Sequence, residues 1–385
     1  MALQSLRTPE LAAWAAYLIL TPIYIWQSGR PQPADIWSVV LAPLLLRGRK
    51  PAFPPHLRSA LGAVLAFAVY AALVNVAWGV LLLDYAVRKV GAIGFASFYL
   101  FNAYIFFVCA ALFVVHRQRF LVVTVWGTAA SVWIQVIVYA LKGAPGGFRE
   151  SLMFNNANQL GYYALLTATL VALGYRHGKL PVVLAGLAVA ASAFLAALSL
   201  SKAAMIGAVC TACIAAIRRP MLLIVVILSA LAGASIKDPA ALLMRIEMRM
   251  NDMGSSYDDT PQGRGYSRIT ENPQYLVFGA AEVGHDRHNR DIAGELHSSV
   301  GTLVFSYGVV GAALFCVFLW RALRCTPWSD LLFFLPIFLY GLTHQGLRFR
   351  LFWITVAVAC MLGVEAQQAG ARRRRVPAID SLGVR

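Results

Sequence analysis

Residues 91–116 read GAIGFASFYLFNAYIFFVCAALFVVH, and this run contains no Asp, Glu, Lys or Arg. A helix needs about 20 apolar residues to cross the hydrocarbon core of a bilayer. The run is continuously apolar, whereas strands of a membrane barrel alternate between apolar and polar side chains. The stretch therefore predicts a helix that spans a membrane.

The rest of the chain repeats this pattern. Its 385 residues are 59% hydrophobic and 13% charged, and the mean hydropathy of +0.67 excludes an ordinary soluble domain. Only helices or closed barrels satisfy the backbone in lipid, so we expect an all-α, polytopic integral membrane protein with about 12 transmembrane helices. The predicted spans are 11–26, 35–46, 59–83, 91–116, 119–141, 159–175, 180–199, 202–217, 221–236, 297–324, 327–344 and 349–366.

The positive charge indicates how the spans are oriented. A net charge of +16 alone would permit nucleic-acid binding, but the basic residues follow alternate spans and so lie on one side. The positive-inside rule then places both termini in the cytoplasm, and no nucleic-acid partner is needed. The residues concerned are Arg47, Arg49, Lys50, Arg58, Arg117, Arg119, Arg176, Lys179, Arg218, Arg219, Arg321, Arg324 and Arg372–Arg375.

One long polar interruption divides the chain. Residues 1–236 would hold transmembrane helices 1–9, residues 237–296 one large external loop, residues 297–366 helices 10–12, and residues 367–385 a basic cytoplasmic tail. Within the loop we expect an amphipathic helix over 240–252, suited to the membrane interface. A Gly/Ser/Asp/Pro-rich connection follows it.

Cations are unusually dense on the external side. Orientation selects against basic residues there, and the guanidinium fork matches phosphate oxygens. The cluster therefore predicts a diphosphate-bearing ligand. The alternative is pairing with loop carboxylates on a solvated surface. The cations are Arg149, Lys202, Arg245, Arg249, Arg264, Arg268, Arg287, Arg290, Arg348 and Arg350.

A histidine lies where the loop returns to the membrane. His297 opens the tenth predicted span, with Glu295 just before it. Its near-neutral intrinsic pKa suits proton transfer from a hydroxyl, although an interfacial His that caps a helix is the alternative. His344 and Arg348, at the external end of the eleventh span, are predicted to face the same cavity.

Neither a metal site nor a nucleotide site is predicted. His285 and His288 are read as loop histidines, because they do not form an HExxH or HxxxH arrangement with His297. A phosphate-cradling GxxxxGK[ST] loop is also missing from the sequence. We therefore predict no metal and no cofactor.

Four stretches together resemble the O-antigen ligase and polymerase superfamily (the WaaL and Wzy proteins of bacterial surface polysaccharide synthesis). Each motif is short, and their order and spacing make the resemblance specific over about 150–320. They are Asn155–Gly161, which resembles an N-x-N-x-[LFG] turn; Leu198–Ala204, at a Ser-Arg-Gly/Ala position; Asn272–Glu282, which resembles N-P-x(n)-G-x-G; and His297–Gly311, which resembles H-[NS]-x-x-L…[EY]-G-x-x-G.

The resemblance implies a GT-C-like membrane enzyme that carries out metal-independent, inverting glycosyl transfer at the periplasmic face of the bacterial inner membrane. The donor would be a glycan on undecaprenyl diphosphate, and the acceptor a lipid-linked glycan or lipid A-core. A chain-length regulator is a possible partner. The 237–296 loop would then be periplasmic, and its stretch 253–265 would close over the headgroup.

The resemblance also assigns roles to residues. Lys202, with Arg264 or Arg268, would face the diphosphate, and of the two arginines we expect Arg268 to matter more. His297, oriented by Glu295, would handle the acceptor hydroxyl. Lys202 departs from the family, which commonly has Arg there. Asn155, Asn158, Glu282, His344 and Arg348 complete the predicted substrate contacts; the amides suit sugar hydroxyls, with helix capping as their alternative.

Three functions remain open from the sequence. The short chain and the Phe305–Gly308 segment favour a polymerase of O-antigen or exopolysaccharide repeat units. An O-antigen ligase acting on lipid A-core is the alternative within the family. A flippase or exporter of lipid-linked oligosaccharide is the alternative of another class, but it would place cations along a central cavity and show pseudo-symmetric halves.

Overall fold

The computed structural model describes residues 8–46, 51–81, 86–142, 148–217, 220–233, 239–252, 260–284 and 295–375. Over these ranges the regular structure is helical, with α-helices, short 3-10 turns and one π-helix and without strands. The prediction of an all-helical chain is therefore confirmed for the described residues.

Nine helices precede the polar interruption in the described part of the chain. They are α1 (Pro9–Leu20), α2 (Pro33–Leu46), α3 (Pro55–Leu81), α4 (Ala86–His116), α5 (Gln118–Lys142), α6 (Ala157–Arg176), α7 (Val182–Ser199), α8 (Lys202–Ala216) and α9 (Pro220–Gly233).

The described parts of the interruption and of the chain that follows it hold seven more helices. They are α10 (Pro239–Asn251), α11 (Ser267–Glu271), α12 (Ser299–Gly301), α13 (Gly308–Leu323), α14 (Trp328–Leu331), α15 (Leu335–Thr343) and α16 (Arg350–Arg375). The amphipathic helix predicted over 240–252 corresponds to α10.

The lengths of the helices support a helical membrane protein. In the described ranges, 5 stretches are long and apolar enough to cross a bilayer, and several shorter apolar helices accompany them. The count of about 12 spans stays a prediction. The long stretches are Pro55–Leu81, Gly91–His116, Gln118–Lys142, Val182–Ser199 and Arg350–Gln368.

The central helix is α6. Its side chains from Leu160 to Gly174 are all buried, because α5, α7, α8 and α16 pack around it. Because α6 contains polar Thr, Tyr, Asn and Gln residues, it is not one of the long apolar stretches named above. The helix connects the two ends of the bundle: Asn158 lies in its first turn and Arg176 at its last residue.

Residues that the charge pattern predicts to be cytoplasmic contact one another at one end of the bundle, which we call the Asp330 end. Arg176 Nε lies 2.7 Å from Asp330 Oδ1, and Lys179 Nζ lies 3.0 Å from Glu365 Oε2. Gln118 Nε2 donates to the same Glu365 oxygen at 2.8 Å. The loops that the charge pattern assigned to one side therefore do meet.

The tenth predicted span, 297–324, is a broken helix. Ser299–Gly301 is a single α-turn, Thr302–Ser306 is a π-helix, Tyr307 leaves helical geometry, and Gly308–Leu323 is the α-helix proper. Short π-helical segments and broken helices occur frequently at functional sites of membrane proteins. A hydropathy pattern registers only the apolar content, so it predicted a continuous span.

Two glycines cause this break. The segment ending at Gly279 crosses the chain at Gly308, and both glycines have positive φ, +91° and +65°. A Cβ on Gly279 would lie 2.3 Å from the Ser306 carbonyl oxygen, and one on Gly308 would lie 2.4 Å from that of Val277. Only glycine permits this approach of two backbones.

Candidate functional site

Three segments are joined at the end of the bundle opposite Asp330. The His297 N–H donates to the Arg264 carbonyl at 3.1 Å, and the Ser299 N–H donates to the His344 carbonyl at 3.1 Å. The Tyr266 hydroxyl donates to the Leu342 carbonyl at 2.7 Å. Arg264, His297 and His344, which lie far apart in the sequence, are thereby brought together.

Two arginines lie in the neighbourhood of Tyr340. Arg149 and Arg264 both interact electrostatically with Tyr340, whose hydroxyl donates to the Asn158 carbonyl at 3.0 Å. The Arg264 guanidinium also donates to the Thr343 carbonyl. Two like charges in one neighbourhood create a region of positive potential, which favours an anionic ligand.

Arg149 is a candidate site residue that the sequence analysis named only as one of the external cations. Its Nε donates to the Ser199 carbonyl at 2.9 Å, and its Nη2 donates to Asn158 Oδ1 at 2.6 Å. Among the described residues it forms no ion pair with a carboxylate. Burial and the neighbouring Arg249 lower the pKa of Arg149. A bound anion would offset both effects.

Lys202 and Arg249 adjoin this pair. Lys202 Nζ donates to the Asp252 carbonyl at 3.1 Å, and Arg249 Nη1 lies 3.6 Å from the Asp252 carboxylate. Lys202 begins α8 two residues after Leu200, whose φ of +47° turns the chain. Arg149, Lys202, Arg249 and Arg264 are called the basic cluster below.

Arg268 differs from the members of that cluster in its burial. It is 0% exposed on the short helix α11, and burial lowers its pKa, whereas Glu271 raises it. Arg264 is half-buried, and its guanidinium donates to the Thr343 carbonyl. The geometry therefore favours Arg264 for contact with a ligand, whereas the sequence had ranked Arg268 first.

Glu282 is the centre of a buried network instead of an open contact site. It is 1% exposed, and its Oε1 accepts from Tyr99 at 2.5 Å and from Tyr307. Its Oε2 accepts from Arg348 Nε at 2.8 Å and from Gln345 at 3.4 Å. These internal donors favour a structural role over the predicted contact with substrate.

Arg348 joins Glu282 to Glu295. Its Nη1 donates to Glu295 Oε2 at 2.7 Å, and its guanidinium lies 4.5 Å from the ring centroid of Phe95. Burial acts to lower the pKa of Arg348, but the carboxylates of Glu282 and Glu295 raise it well above its ordinary value. Arg348 therefore stays charged and holds the segments that contain Glu282 and Glu295 against the turn between α15 and α16. This structural role differs from the predicted contact of Arg348 with substrate.

Loss of this clamp should destabilise the protein. Replacing Arg348 with methionine leaves two carboxylates without their shared cation, and removing one partner of a buried pair costs about 3–5 kcal/mol. We expect a lower thermal unfolding midpoint in detergent. Adding Glu282→Gln should restore part of it, and Arg119→Met, an exposed substitution at the Asp330 end, should leave it unchanged. Equal midpoints for Arg348→Met and the wild type would contradict the clamp.

The Asn-rich turn has several structural functions. The Asn156 side chain accepts from the Gln159 N–H at 2.8 Å and caps α6, so the capping alternative applies to this residue. Asn155 Nδ2 donates to the Trp26 carbonyl at 3.0 Å and to Ser28 Oγ at 3.1 Å. Asn158, as described above, orients Arg149.

The two predicted site histidines differ in their surroundings. His297 is exposed, and its imidazole forms no hydrogen bond with any residue described in the structure, Glu295 included. His344 is half-buried, and its ring stacks on Tyr340 with centroids 4.5 Å apart. The orientation of His297 by Glu295, expected from the resemblance, is not observed.

Several predictions concern residues outside the described ranges. They include the loop histidines His285 and His288, the cations Arg287 and Arg290, residues 253–259 of the stretch expected to close over the headgroup, and 376–385 of the basic tail. Within the described ranges, no group of three or more His, Cys, Asp and Glu side chains is arranged to hold a metal.

No protein-family model matches the chain, and no curated protein matches it.

Proposed function

We propose that this protein is a metal-independent, inverting glycosyltransferase that acts on undecaprenyl-diphosphate-linked glycans, and that it polymerises O-antigen or exopolysaccharide repeat units. The observation that carries the proposal is the basic cluster: Arg149 and Arg264 contact Asn158 and Thr343, which adjoin Tyr340, and Lys202 and Arg249 both contact Asp252. The resemblance of the four motifs to the O-antigen ligase and polymerase superfamily supplies the reaction.

In this proposal the chain crosses the bacterial inner membrane about 12 times, by the length and orientation rules used above. The end that carries the basic cluster is periplasmic, together with the 237–296 loop. The Asp330 end and both termini are cytoplasmic. The lipid-linked donor then approaches from the bilayer with its diphosphate at the level of the basic cluster.

The chemistry follows from the charge that develops during the reaction. As the bond between the anomeric carbon and the diphosphate oxygen breaks, negative charge builds on the leaving phosphate. Arginines that the protein already holds in place stabilise this charge without a divalent ion. The acceptor hydroxyl would approach from the side of His297 and His344.

Two other functions are kept as alternatives. An O-antigen ligase would use the same donor site and transfer the finished glycan to lipid A-core. A flippase or exporter is less well supported, because the basic cluster lies at one end of the bundle rather than along its middle. A gene deletion separates the first two: a single capped repeat indicates a polymerase, and accumulated lipid-linked polymer indicates a ligase.

Reconstitution tests the proposal directly. In liposomes supplied with undecaprenyl-diphosphate-linked repeat units, without ATP and with EDTA, we expect a ladder of longer lipid-linked glycans. Arg119→Ala, an exposed arginine at the Asp330 end, should give the same ladder and serves as the matched control. Absence of any longer glycan from the wild-type protein, with an added lipid A-core acceptor also left unmodified, would reject the proposal.

A further inference from the structure

The Asn158 side chain is held in one orientation by Arg149. Arg149 Nη2 donates to Asn158 Oδ1 at 2.6 Å. Because a guanidinium has donors and no acceptor, the atom that faces it must be the oxygen of the amide, and the amide nitrogen points away from this contact. The backbone is also fixed, since the Asn158 carbonyl accepts from the Tyr340 hydroxyl at 3.0 Å. These two contacts define where the Asn158 Nδ2 group lies.

This contact leaves N–H donors on both side chains. Arg149 also donates from Nε to the Ser199 carbonyl at 2.9 Å. Its Nη1 and the Nδ2 of Asn158 form no hydrogen bond with any residue that the structure describes. Both side chains are half-buried, and neither nitrogen is enclosed. One charged and one neutral donor group are therefore joined through a single hydrogen bond and can be reached by a ligand.

The other asparagines of the turn differ from Asn158 in this respect. Asn155 Nδ2 donates to the Trp26 carbonyl at 3.0 Å and to Ser28 Oγ at 3.1 Å, so its amide donors are already engaged. The Asn156 side chain caps α6 through its oxygen and contacts no cation among the described residues. Within the described turn, Asn158 is therefore the asparagine that combines accessible donors with a contact to the basic cluster.

We propose that Asn158 Nδ2 and Arg149 Nη1 together bind the diphosphate of the lipid-linked donor, which makes Asn158 a phosphate-binding residue instead of a contact for sugar hydroxyls. The inference rests on the proposed function. A phosphate group presents several acceptor oxygens, and hydrogen bonds from a guanidinium to these oxygens are charge-assisted and strong. An anion held by Arg149 Nη1 lies beside the amide nitrogen of Asn158, because the two side chains are in contact.

A neutral amide suits this position because the cluster already holds like charges close together. Burial and the neighbouring Arg249 lower the pKa of Arg149, so a further cation at residue 158 would increase the repulsion in the free protein. An aspartate would still accept from the Arg149 guanidinium, but it would turn a carboxylate oxygen toward the phosphate. Asparagine holds the arginine with its oxygen and donates to the ligand with its nitrogen.

Two substitutions of Asn158 separate binding of the ligand from orientation of Arg149. Undecaprenyl diphosphate without sugar is titrated against the purified protein in phosphatidylcholine nanodiscs. Asn158→Ala, which loses a hydrogen bond to a charged group, should bind about 10-fold more weakly. Asn158→Asp should bind at least about 100-fold more weakly, because like charges then face each other, with an unfolding midpoint no lower than that of the wild type. If Asn158 only orients Arg149, Asn158→Asp binds more tightly than Asn158→Ala, and the inference is overturned.

Asn156→Asp is the matched control. It adds the same charge two residues away and keeps the cap of α6, because Asp and Asn cap helices about equally well. Its affinity should stay close to that of the wild type. Phosphatidylglycerol, titrated in place of the lipid diphosphate, should bind weakly to all the variants. The same order of affinities with phosphatidylglycerol would indicate an unselective anion site and overturn the inference.

The remaining outcomes separate this inference from the proposed function. Equal weakening by Asn156→Asp, or weakening by Asn158→Asp only when the lipid carries its repeat unit, overturns the inference, although the glycosyltransferase function stands if the wild type forms longer glycans. The expected order of affinities in a wild type and variants that form no longer glycan removes the proposed function and leaves the contact with the diphosphate. A wild type that does not bind undecaprenyl diphosphate overturns the inference.

Discussion

Replacing Arg149 or Arg264 with alanine is expected to lower kcat for glycosyl transfer by about 10²–10³-fold, the usual cost of removing one preorganised donor from a site that stabilises developing negative charge. Both guanidinium groups interact electrostatically with Tyr340, and in the proposal the leaving diphosphate gains charge beside them. The loss should appear mainly in kcat, because the charge on the leaving oxygen exceeds that of the bound donor only in the transition state.

Lysine substitutions sharpen this test. Arg149 donates through two different nitrogens, to Ser199 and to Asn158, and an ammonium cannot reproduce that fork. Arg149→Lys should therefore recover only part of the activity, although it retains the charge. Arg119→Ala provides the matched control for loss of one positive charge. Wild-type kcat in both Arg149→Ala and Arg264→Ala would remove the anion site from the proposal.

The buried Arg268 should behave differently from Arg264. A side chain that is 0% exposed contributes to the packing of the 260–284 segment, so Arg268→Ala is expected to lower the unfolding midpoint together with the activity. Arg264→Ala should lower the activity with a smaller change in midpoint. Measuring both quantities for both variants tells a ligand contact from a structural residue, which the sequence alone could not do.

The class of protein was predictable because it depends on local composition. A continuous apolar run such as 91–116 leaves the backbone no option in lipid except a helix, and the same rule applies along the chain. The meeting of Arg176 and Lys179 with other loops at the Asp330 end was likewise predictable, because loops that follow alternate spans lie on the same side of the bundle.

The roles of the site residues were less accessible, because they depend on which helices meet. Glu282 looked like a loop carboxylate, and its burial follows from Tyr99 on α4 and Arg348 beside α16. Arg149 was one of many external cations until Asn158 and Ser199 fixed its position. Neither set of contacts can be recognised from a local sequence pattern, because the partners come from different segments of the chain.

Replacing Gly308 with alanine is expected to destabilise the protein strongly, although the change adds only one methyl group. The added Cβ would lie 2.4 Å from the Val277 carbonyl oxygen, well inside contact distance, and φ of +65° disfavours any residue with a Cβ. Left-handed strain and forced overlap each cost about 1–3 kcal/mol. The unfolding midpoint in detergent should fall sharply, and less protein should elute as a single folded species.

Gly62→Ala is the matched control for this substitution. Gly62 lies inside α3, where an added Cβ meets nothing within 4 Å, and alanine in a helix interior is favoured over glycine by about 1 kcal/mol. The same chemical change should therefore leave the midpoint unchanged or raise it. A Gly308→Ala variant as stable as Gly62→Ala would mean that the crossing of the two segments is not as close as described.

Gly308→Ala should also lower the activity, because the neighbouring Tyr307 is connected to the candidate site. Tyr307 precedes the glycine and donates to Glu282. Glu282 accepts in turn from Arg348, which lies in the turn that begins at His344. Separating the two backbones moves Tyr307 away from Glu282, so the surviving folded fraction should lose activity per molecule. Tyr307→Phe removes the same hydrogen bond without forcing the backbones apart, and it should reproduce the loss of activity with a smaller loss of stability. Full activity of Tyr307→Phe would show that the glycine crossing supports the fold alone.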